Sequence, residues 1–101
     1  MNREAVIDCL CERVLIEEND PVLYRIWDRL TELLSENSEE TIDFLNECTE
    51  EQLFYISEVF EDISFNLQSE QFIDALYKLD RKYPELQMKS DIKIAEEFMG
   101  K

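Results

Sequence analysis

Apolar residues recur along most of this chain at intervals of three and four, which is the repeat of one face of an α-helix. The clearest case is the segment 49–67, whose apolar ridge consists of Leu53, Ile56, Phe60, Ile63 and Leu67. At about 100° per residue, the opposite side of this predicted helix carries Phe54, Tyr55, Glu58, Glu61, Asp62 and Phe65. Three aromatic rings among three carboxylates are expected to be covered either by a second layer of helices or by a partner protein.

The same spacing predicts five further helices, and residues typical of helix starts precede most of them. The predicted segments are 2–17, 21–34, 39–47, 70–82 and a less regular one within 85–99. Asp20 followed by Pro21 is expected to cap the second helix, whose buried face Trp27 is expected to anchor. The expected caps of the later helices are Ser38, Thr49 in a capping box with Gln52, Ser69, and either Ser90 or Asp91.

The sequence contains no alternating strand pattern and no hairpin turn, so we expect an all-α fold. A chain of 101 residues is expected to form one domain, 1–101. About six helices with short connections predict antiparallel hairpins, arranged either as a compact bundle or as a short solenoid-like stack.

Acidic residues dominate the charge, with 25 Asp and Glu against 10 Lys and Arg and no His, for a net charge of −15. Between Leu30 and Tyr77 there are thirteen acidic residues and no basic one. Nucleic acid and anionic membranes repel such a chain, so neither is an expected partner. The charge fits either an ordinary solvated surface or a recognition face for a basic protein. Aromatic rings among the acids favour the second.

The residue types that catalysis and metal binding require are scarce. The commonest general base is missing without His, and the single glycine, Gly100, excludes a phosphate-binding loop. Glu58 with Glu61 or Asp62 could form a carboxylate pair for a divalent metal, but such pairs on an acidic helix are usually plain surface. We therefore expect no enzyme activity, no cofactor and no metal.

The cysteines and the apolar runs bear on localisation. Cys9, Cys11 and Cys48 are odd in number and lack the spacing of a disulfide framework or a zinc site, so all three are expected to be small buried residues. The first residues do not form a signal peptide, and no apolar run approaches about 20 residues. These features predict a reduced, cytoplasmic protein.

The second half of the chain resembles part of some small immunity proteins of bacterial contact-dependent growth inhibition and related polymorphic toxin systems. The resemblance covers roughly Ile56 to Leu86, mostly at helix-packing and capping positions. It is carried by Phe60-Glu61-Asp62-Ile63-Ser64, Leu67-Gln68-Ser69, Phe72, Leu76 and Lys82-Tyr83-Pro84. The resemblance implies a cytoplasmic protein that binds and blocks the toxic domain of a delivered effector. Such toxins are often nucleases with basic substrate clefts.

The resemblance and the charge together predict an immunity protein that neutralises a basic toxin domain, with a nuclease as the expected toxin. The residues expected to contact the toxin are Glu58, Glu61 and Asp62 through charge, with Phe54 and Phe65 as apolar anchors. The alternative is an acidic helical adaptor or regulatory module that binds an unrelated basic protein. The toxin's identity, the oligomeric state and the binding face are open at this point.

Overall fold

A computed structural model describes residues 1–100 of the chain. Its helices follow the apolar spacing of the sequence. These residues form α1 (Arg3–Leu15), α2 (Val22–Leu34), α3 (Ser38–Glu47), α4 (Glu50–Ile56), α5 (Phe60–Leu67), α6 (Glu70–Lys82) and α7 (Lys89–Phe98). Short 3-10 turns occupy Ser57–Val59 and Pro84–Leu86, and the described residues contain no strand. The all-α class is therefore confirmed. The predicted central helix corresponds to three elements: α4, the first 3-10 turn and α5. When these three are counted as one interrupted helix, the total is six helices.

Two of the predicted helix starts have the expected hydrogen bonds. Thr49 and Gln52 form the capping box before α4, because each side chain accepts a hydrogen bond from the other residue's backbone N–H, at 3.2 and 2.9 Å. Ser69 accepts from the backbone N–H of Phe72 at 3.2 Å and so caps α6. Such caps satisfy N–H groups that the first turn of a helix leaves without a partner, and each contributes about 1 kcal/mol.

The other predicted caps differ in detail. Asp20 accepts from the backbone N–H of Val22 at 2.9 Å, although the regular helix begins after Pro21. Asn37, not Ser38, caps α3, and α7 begins at Lys89 without a side-chain cap. Asn, Ser and Asp cap helices about equally well, so neighbouring candidates cannot be ranked without the backbone geometry.

The apolar ridge of the central helix lies in the core. Leu53, Ile56, Phe60 and Ile63 are completely buried, and Leu67 at the end of the ridge is half-buried. Phe60 meets the ring of Phe72 edge to face, with 6.5 Å between centroids. Because full burial of one such side chain stabilises a fold by about 1.5–3 kcal/mol, this ridge is a major source of stability.

The 3-10 turn at Ser57–Val59 changes the direction in which the central helix presents its outer side chains. The hydroxyl of Ser57 donates to the carbonyl oxygen of Phe54 at 2.5 Å within this turn. A 3-10 turn advances by about 120° per residue against about 100° in an α-helix, so three residues add about 60°. Phe54 and Phe65 would lie about 20° apart on a continuous helix, and the turn separates them to about 80°.

Contacts between helices show how the bundle is assembled. α5 and α7 run side by side in the same direction, because Glu61 lines a pocket with Ile94 while Phe65 contacts Phe98. α6 and α7 run in opposite directions, since Tyr77 donates to Glu96 while Ile73, earlier in α6, lies beside Met99. The described chain measures 31 × 28 × 23 Å with a radius of gyration of 12.5 Å, which is the size of a compact bundle and not of a solenoid.

None of the helices within residues 1–100 combines the length and the apolar character that crossing a membrane requires.

The cysteines differ in exposure. Cys9 and Cys48 are buried as expected, whereas Cys11 is exposed, so the expectation that all three are core residues is wrong for Cys11. Cys11 lies one residue past the α1 face that packs inward at Leu10. Burial raises the pKa of Cys48 to about 12, which removes the reactive thiolate at neutral pH.

Alkylation of the folded protein with iodoacetamide near neutral pH should therefore modify Cys11 alone. Mass spectrometry of the intact protein should show one added group under native conditions and three after unfolding in urea. Rapid native modification of Cys48 would contradict the burial of that thiol. The Cys11→Ser variant serves as the control, because it should take up no reagent while folded.

Candidate functional site

An ion pair between α1 and the 3-10 turn holds the centre of the molecule. The guanidinium of Arg13 donates to both carboxylate oxygens of Glu58, from Nε to Oε1 and from Nη2 to Oε2, each at 2.7 Å. The indole N–H of Trp27 in α2 donates to the same Oε1 at 3.1 Å. Arg13 is 4% exposed and its guanidinium carbon lies 4.8 Å from the centroid of the Tyr55 ring. The hydrogen bonds from Arg13 to Glu58 raise the pKa of Arg13, so the arginine stays charged although it is buried.

Glu58 therefore has a structural role, as the counter-charge of Arg13, that its sequence position did not reveal. It was predicted to contact a partner, and 22% of its side chain is still exposed, but both of its oxygens are engaged within the fold. Trp27, predicted as a core anchor, is half-buried against the core and contributes its indole N–H to this network. Because Arg13 compensates the charge of Glu58, this carboxylate adds little to the external field of the protein.

A small acidic pocket lies between the central helix and α7. It is lined by Ser57, Glu58, Glu61, Asp91 and Ile94. Burial and, second, the neighbouring carboxylate of Glu58 raise the pKa of Asp91. Glu61 and Asp91 thus bring negative charge from two different helices to one place. Asp62 follows Glu61 on α5 and is exposed.

Apolar side chains continue this surface beyond the pocket. The rings of Phe65 and Phe98 meet edge to face, with 6.5 Å between their centroids and planes 83° apart. Phe65 is 49% exposed and Ile94 is 40% exposed, so apolar surface lies beside the carboxylates. We call the surface formed by these residues the acidic–aromatic face. It consists of Glu61, Asp62 and Phe65 from α5 and Asp91, Ile94 and Phe98 from α7.

Basic groups from the first helices neutralise part of the long acidic run. The ammonium group of Met1 pairs with Glu40 and lies 3.8 Å from Glu36, and Arg3 reaches Glu47 at 2.7 Å. Arg13 pairs with Glu58, and Arg29 approaches Glu32 at 3.5 Å. Within residues 1–100, no ion pair involves Glu61, Asp62 or Asp91. The acidic–aromatic face therefore keeps its negative charge while much of the α3 region does not.

The predicted contact residues divide between two surfaces. Glu58 and Glu61 line the same pocket, and Phe65 lies one turn beyond Glu61 on α5. Phe54 instead lines a groove between α1 and α4 with Val14, and its ring meets that of Tyr55 edge to face at 5.3 Å. The rotation added by the 3-10 turn accounts for this separation.

Sequence reasoning missed the α7 half of the acidic–aromatic face. Asp91, Ile94 and Phe98 have the spacing of one helical face, which is the signal that the sequence offers. Nothing in that spacing shows that α7 packs beside α5, because the two helices are separated in the chain by the whole of α6.

The site offers carboxylates and apolar rings. Among residues 1–100 there is no group of three or more potential ligands that could hold a metal ion. What the arrangement can do chemically is present negative charge beside exposed apolar surface. Comparison with protein-family models, with curated proteins and with solved structures finds no match.

Removing the charge of Glu58 should destabilise the fold. Glu58→Gln leaves the buried guanidinium of Arg13 without a counter-charge, so we expect the free energy of unfolding to fall by about 2–3 kcal/mol, less than for a fully buried pair. Urea unfolding followed by circular dichroism measures this. Glu61→Gln, which removes a carboxylate without an ion-pair partner among residues 1–100, is the matched control and should change stability by at most about 0.5 kcal/mol. Equal losses in the two variants would contradict the structural role of Glu58.

The raised pKa of Asp91 predicts a pH-dependent cost. The folded state binds this proton more tightly than the unfolded chain, so ionised Asp91 lowers stability above its folded pKa, and the cost is relieved as the pH falls through that value. Asp91→Asn should therefore raise Tm near pH 7 and have less effect near about pH 4. Calorimetric scans at both pH values test this. Asp62→Asn, which removes the same charge at an exposed position nearby, is the control and should give a smaller difference between the two pH values.

Proposed function

We propose that this protein is an immunity protein that binds a basic toxin domain, a nuclease being the favoured class, and blocks it through the acidic–aromatic face. The observation that carries the proposal is the coincidence of exposed apolar side chains with uncompensated carboxylates. Phe65 and Ile94 are 49% and 40% exposed on α5 and α7. Glu61 and Asp91 line a pocket with Ile94, and Asp62 lies three residues before Phe65 on α5. The resemblance of segment 56–86 to immunity proteins points to the same function.

The physical basis of the proposal is that the two kinds of residue do different things in an interface. Exposed apolar side chains such as Phe65 gain from burial against a partner and supply most of the affinity. Carboxylates such as Glu61 and Asp62 attract a basic partner from a distance and raise the association rate. A nuclease cleft binds phosphates with basic residues, so a row of carboxylates is complementary to it.

The first experiment identifies the partner. The gene directly upstream should encode a large secreted protein whose variable C-terminal domain is toxic when expressed in the cytoplasm. Co-expression of this protein should restore growth, and calorimetry with a catalytically inactive form of the toxin domain should show a one-to-one complex. If that toxin domain neither binds nor is neutralised, the proposed function is wrong.

The second experiment locates the binding surface with charge reversals. Glu61→Lys combined with Asp62→Lys should weaken toxin binding by about 100-fold, since each reversal places like charges together at the interface. Glu39→Lys combined with Asp43→Lys changes the net charge equally, on α3, and should have a much smaller effect. Glu58 is left unchanged in both variants, because its substitution is expected to destabilise the fold. Equal effects of the two double variants would show that overall charge, and not this face, determines binding.

Phe65→Ser tests the apolar part of the same face. Because Phe65 is exposed on one side, the fold should tolerate this change, whereas toxin binding should weaken mainly through faster dissociation. Tyr24→Ser removes another exposed ring, on α2, and serves as the control for loss of an aromatic surface residue. Unchanged dissociation of Phe65→Ser would exclude this ring as an anchor.

A further inference from the structure

The helix α1 carries apolar side chains on two sides, and only one side faces the core. Val6, Cys9 and Leu10 are buried, whereas Ile7, Cys11, Val14 and Leu15 are exposed. Residues 7, 11 and 14 are four and three positions apart, so their side chains form one continuous stripe along the helix. The stripe has no covering element within residues 1–100.

α4 completes a groove along this stripe. One part of the groove is lined by Ile7, Leu10, Cys11 and Val14 from α1 with Glu51, Gln52 and Tyr55 from α4. A second, wider part of about 570 Å³ is lined by Arg13, Val14, Ile16, Glu17, Glu18, Asn19, Phe54 and Tyr55. Val14 and Tyr55 border both parts, so the two parts adjoin at these residues. Ile7, Val14 and Phe54 are 43%, 45% and 49% exposed along it, which places three of the exposed large apolar residues on one surface.

The charges along the groove determine what can occupy it. Its titratable side chains include Glu17, Glu18 and Glu51, and among the residues 1–100 that line it the one base is Arg13, whose charge is compensated by Glu58. A second copy of this chain would bring another −15 of charge and would set these acids against each other. An occupant with apolar residues on one side and Lys or Arg along its edges matches both the stripe and its border.

The form of the occupant follows from the backbone of the groove. α1 and α4 use most of their backbone groups within their own helices, and the loop 16–19 that lines the wider part is not a strand, so the groove offers no sheet edge to an extended chain. An amphipathic helix satisfies its own backbone N–H and C=O groups and can therefore be covered by such a groove. We infer that the α1–α4 groove is a docking site for an amphipathic helix of a partner protein, with apolar side chains inward and basic side chains at its edges. This inference does not depend on the acidic–aromatic face or on the identity of any toxin.

Cys11 provides a direct readout because its exposed thiol lines the groove. The probe is a synthetic peptide of about 18 residues, or about five helical turns, with Leu at helical spacing and Lys on the flanks. At saturation it should slow alkylation of Cys11 by at least about fivefold, and amide shifts should change along segments 7–18 and 51–55. A scrambled peptide of the same composition and an analogue with Glu in place of Lys should do neither.

Two serine substitutions of matched exposure separate this groove from the acidic–aromatic face. Val14→Ser removes a half-exposed aliphatic side chain from the groove and should weaken binding of the Lys peptide at least about fivefold. Ile94→Ser removes one of similar exposure from α7 and should leave that binding unchanged. Both positions are on the surface, so both variants are expected to fold.

Three outcomes would overturn the inference. Equal protection of Cys11 by the scrambled peptide would show attraction by charge alone. Equal weakening by Val14→Ser and Ile94→Ser would place the peptide elsewhere or on both surfaces. A second copy of the chain would be the occupant if the protein alone sedimented as a dimer in which Cys11 is protected, and if Val14→Ser restored the monomer.

Discussion

The pairing of Arg13 with Glu58 is the constraint on which the rest of the structure depends. A guanidinium that is 4% exposed must be compensated, and here a bidentate carboxylate, an indole N–H on that carboxylate and the face of Tyr55 surround the pair. The network joins α1 and α2 to the 3-10 turn in the middle of the central helix. It thereby holds the turn at Ser57–Val59, where Glu58 faces α1. This 3-10 turn sets the rotation between α4 and α5. It therefore determines which outer side chains lie on the α1–α4 groove and which lie on the acidic–aromatic face.

This geometry gives the molecule two neighbouring surfaces with different compositions. Arg13 borders the α1–α4 groove and Glu58 borders the acidic pocket beside α7, so the ion pair lies between them. The α1–α4 groove combines an apolar stripe with charged and polar residues at its wider part, while the acidic–aromatic face mixes carboxylates with the exposed side chains of Phe65 and Ile94. The pair separates the two surfaces, and the carboxylate of Glu58 still acts on Asp91 in the acidic pocket. Under the two proposals, a large basic partner would contact both surfaces, whereas a single amphipathic helix would occupy only the groove.

Local features of the fold could be predicted from sequence, and long-range ones could not. The ridge from Leu53 to Ile63 is buried as its spacing predicts, and the capping box of Thr49 is formed, because both depend on residues within a few turns. The partner of Glu58 lies 45 residues away in α1, and no periodicity encodes that pairing. The 3-10 turn was missed because its residues keep the apolar spacing of a helix. The α7 half of the acidic–aromatic face was also missed because it depends on long-range packing. The sequence pattern of α7 does not show that this helix lies beside α5.

Charge shows most clearly the difference between sequence and structure. A run of thirteen acids without a base looks uniformly negative along the chain. In the fold, the amino terminus and three arginines return to this run and compensate Glu40, Glu47, Glu58 and Glu32. Repulsion is thereby relieved where the first helices pack, and it persists at α5 and α7, where Asp91 is harder to ionise. Carboxylates that crowd together without a local cation raise the free energy of the unbound protein, and a basic partner would remove that cost on binding. Within residues 1–100, Glu61, Asp62 and Asp91 are among the acids without an ion-pair partner, and the exposed apolar side chains of Phe65 and Ile94 distinguish them from others such as Glu39 and Asp43.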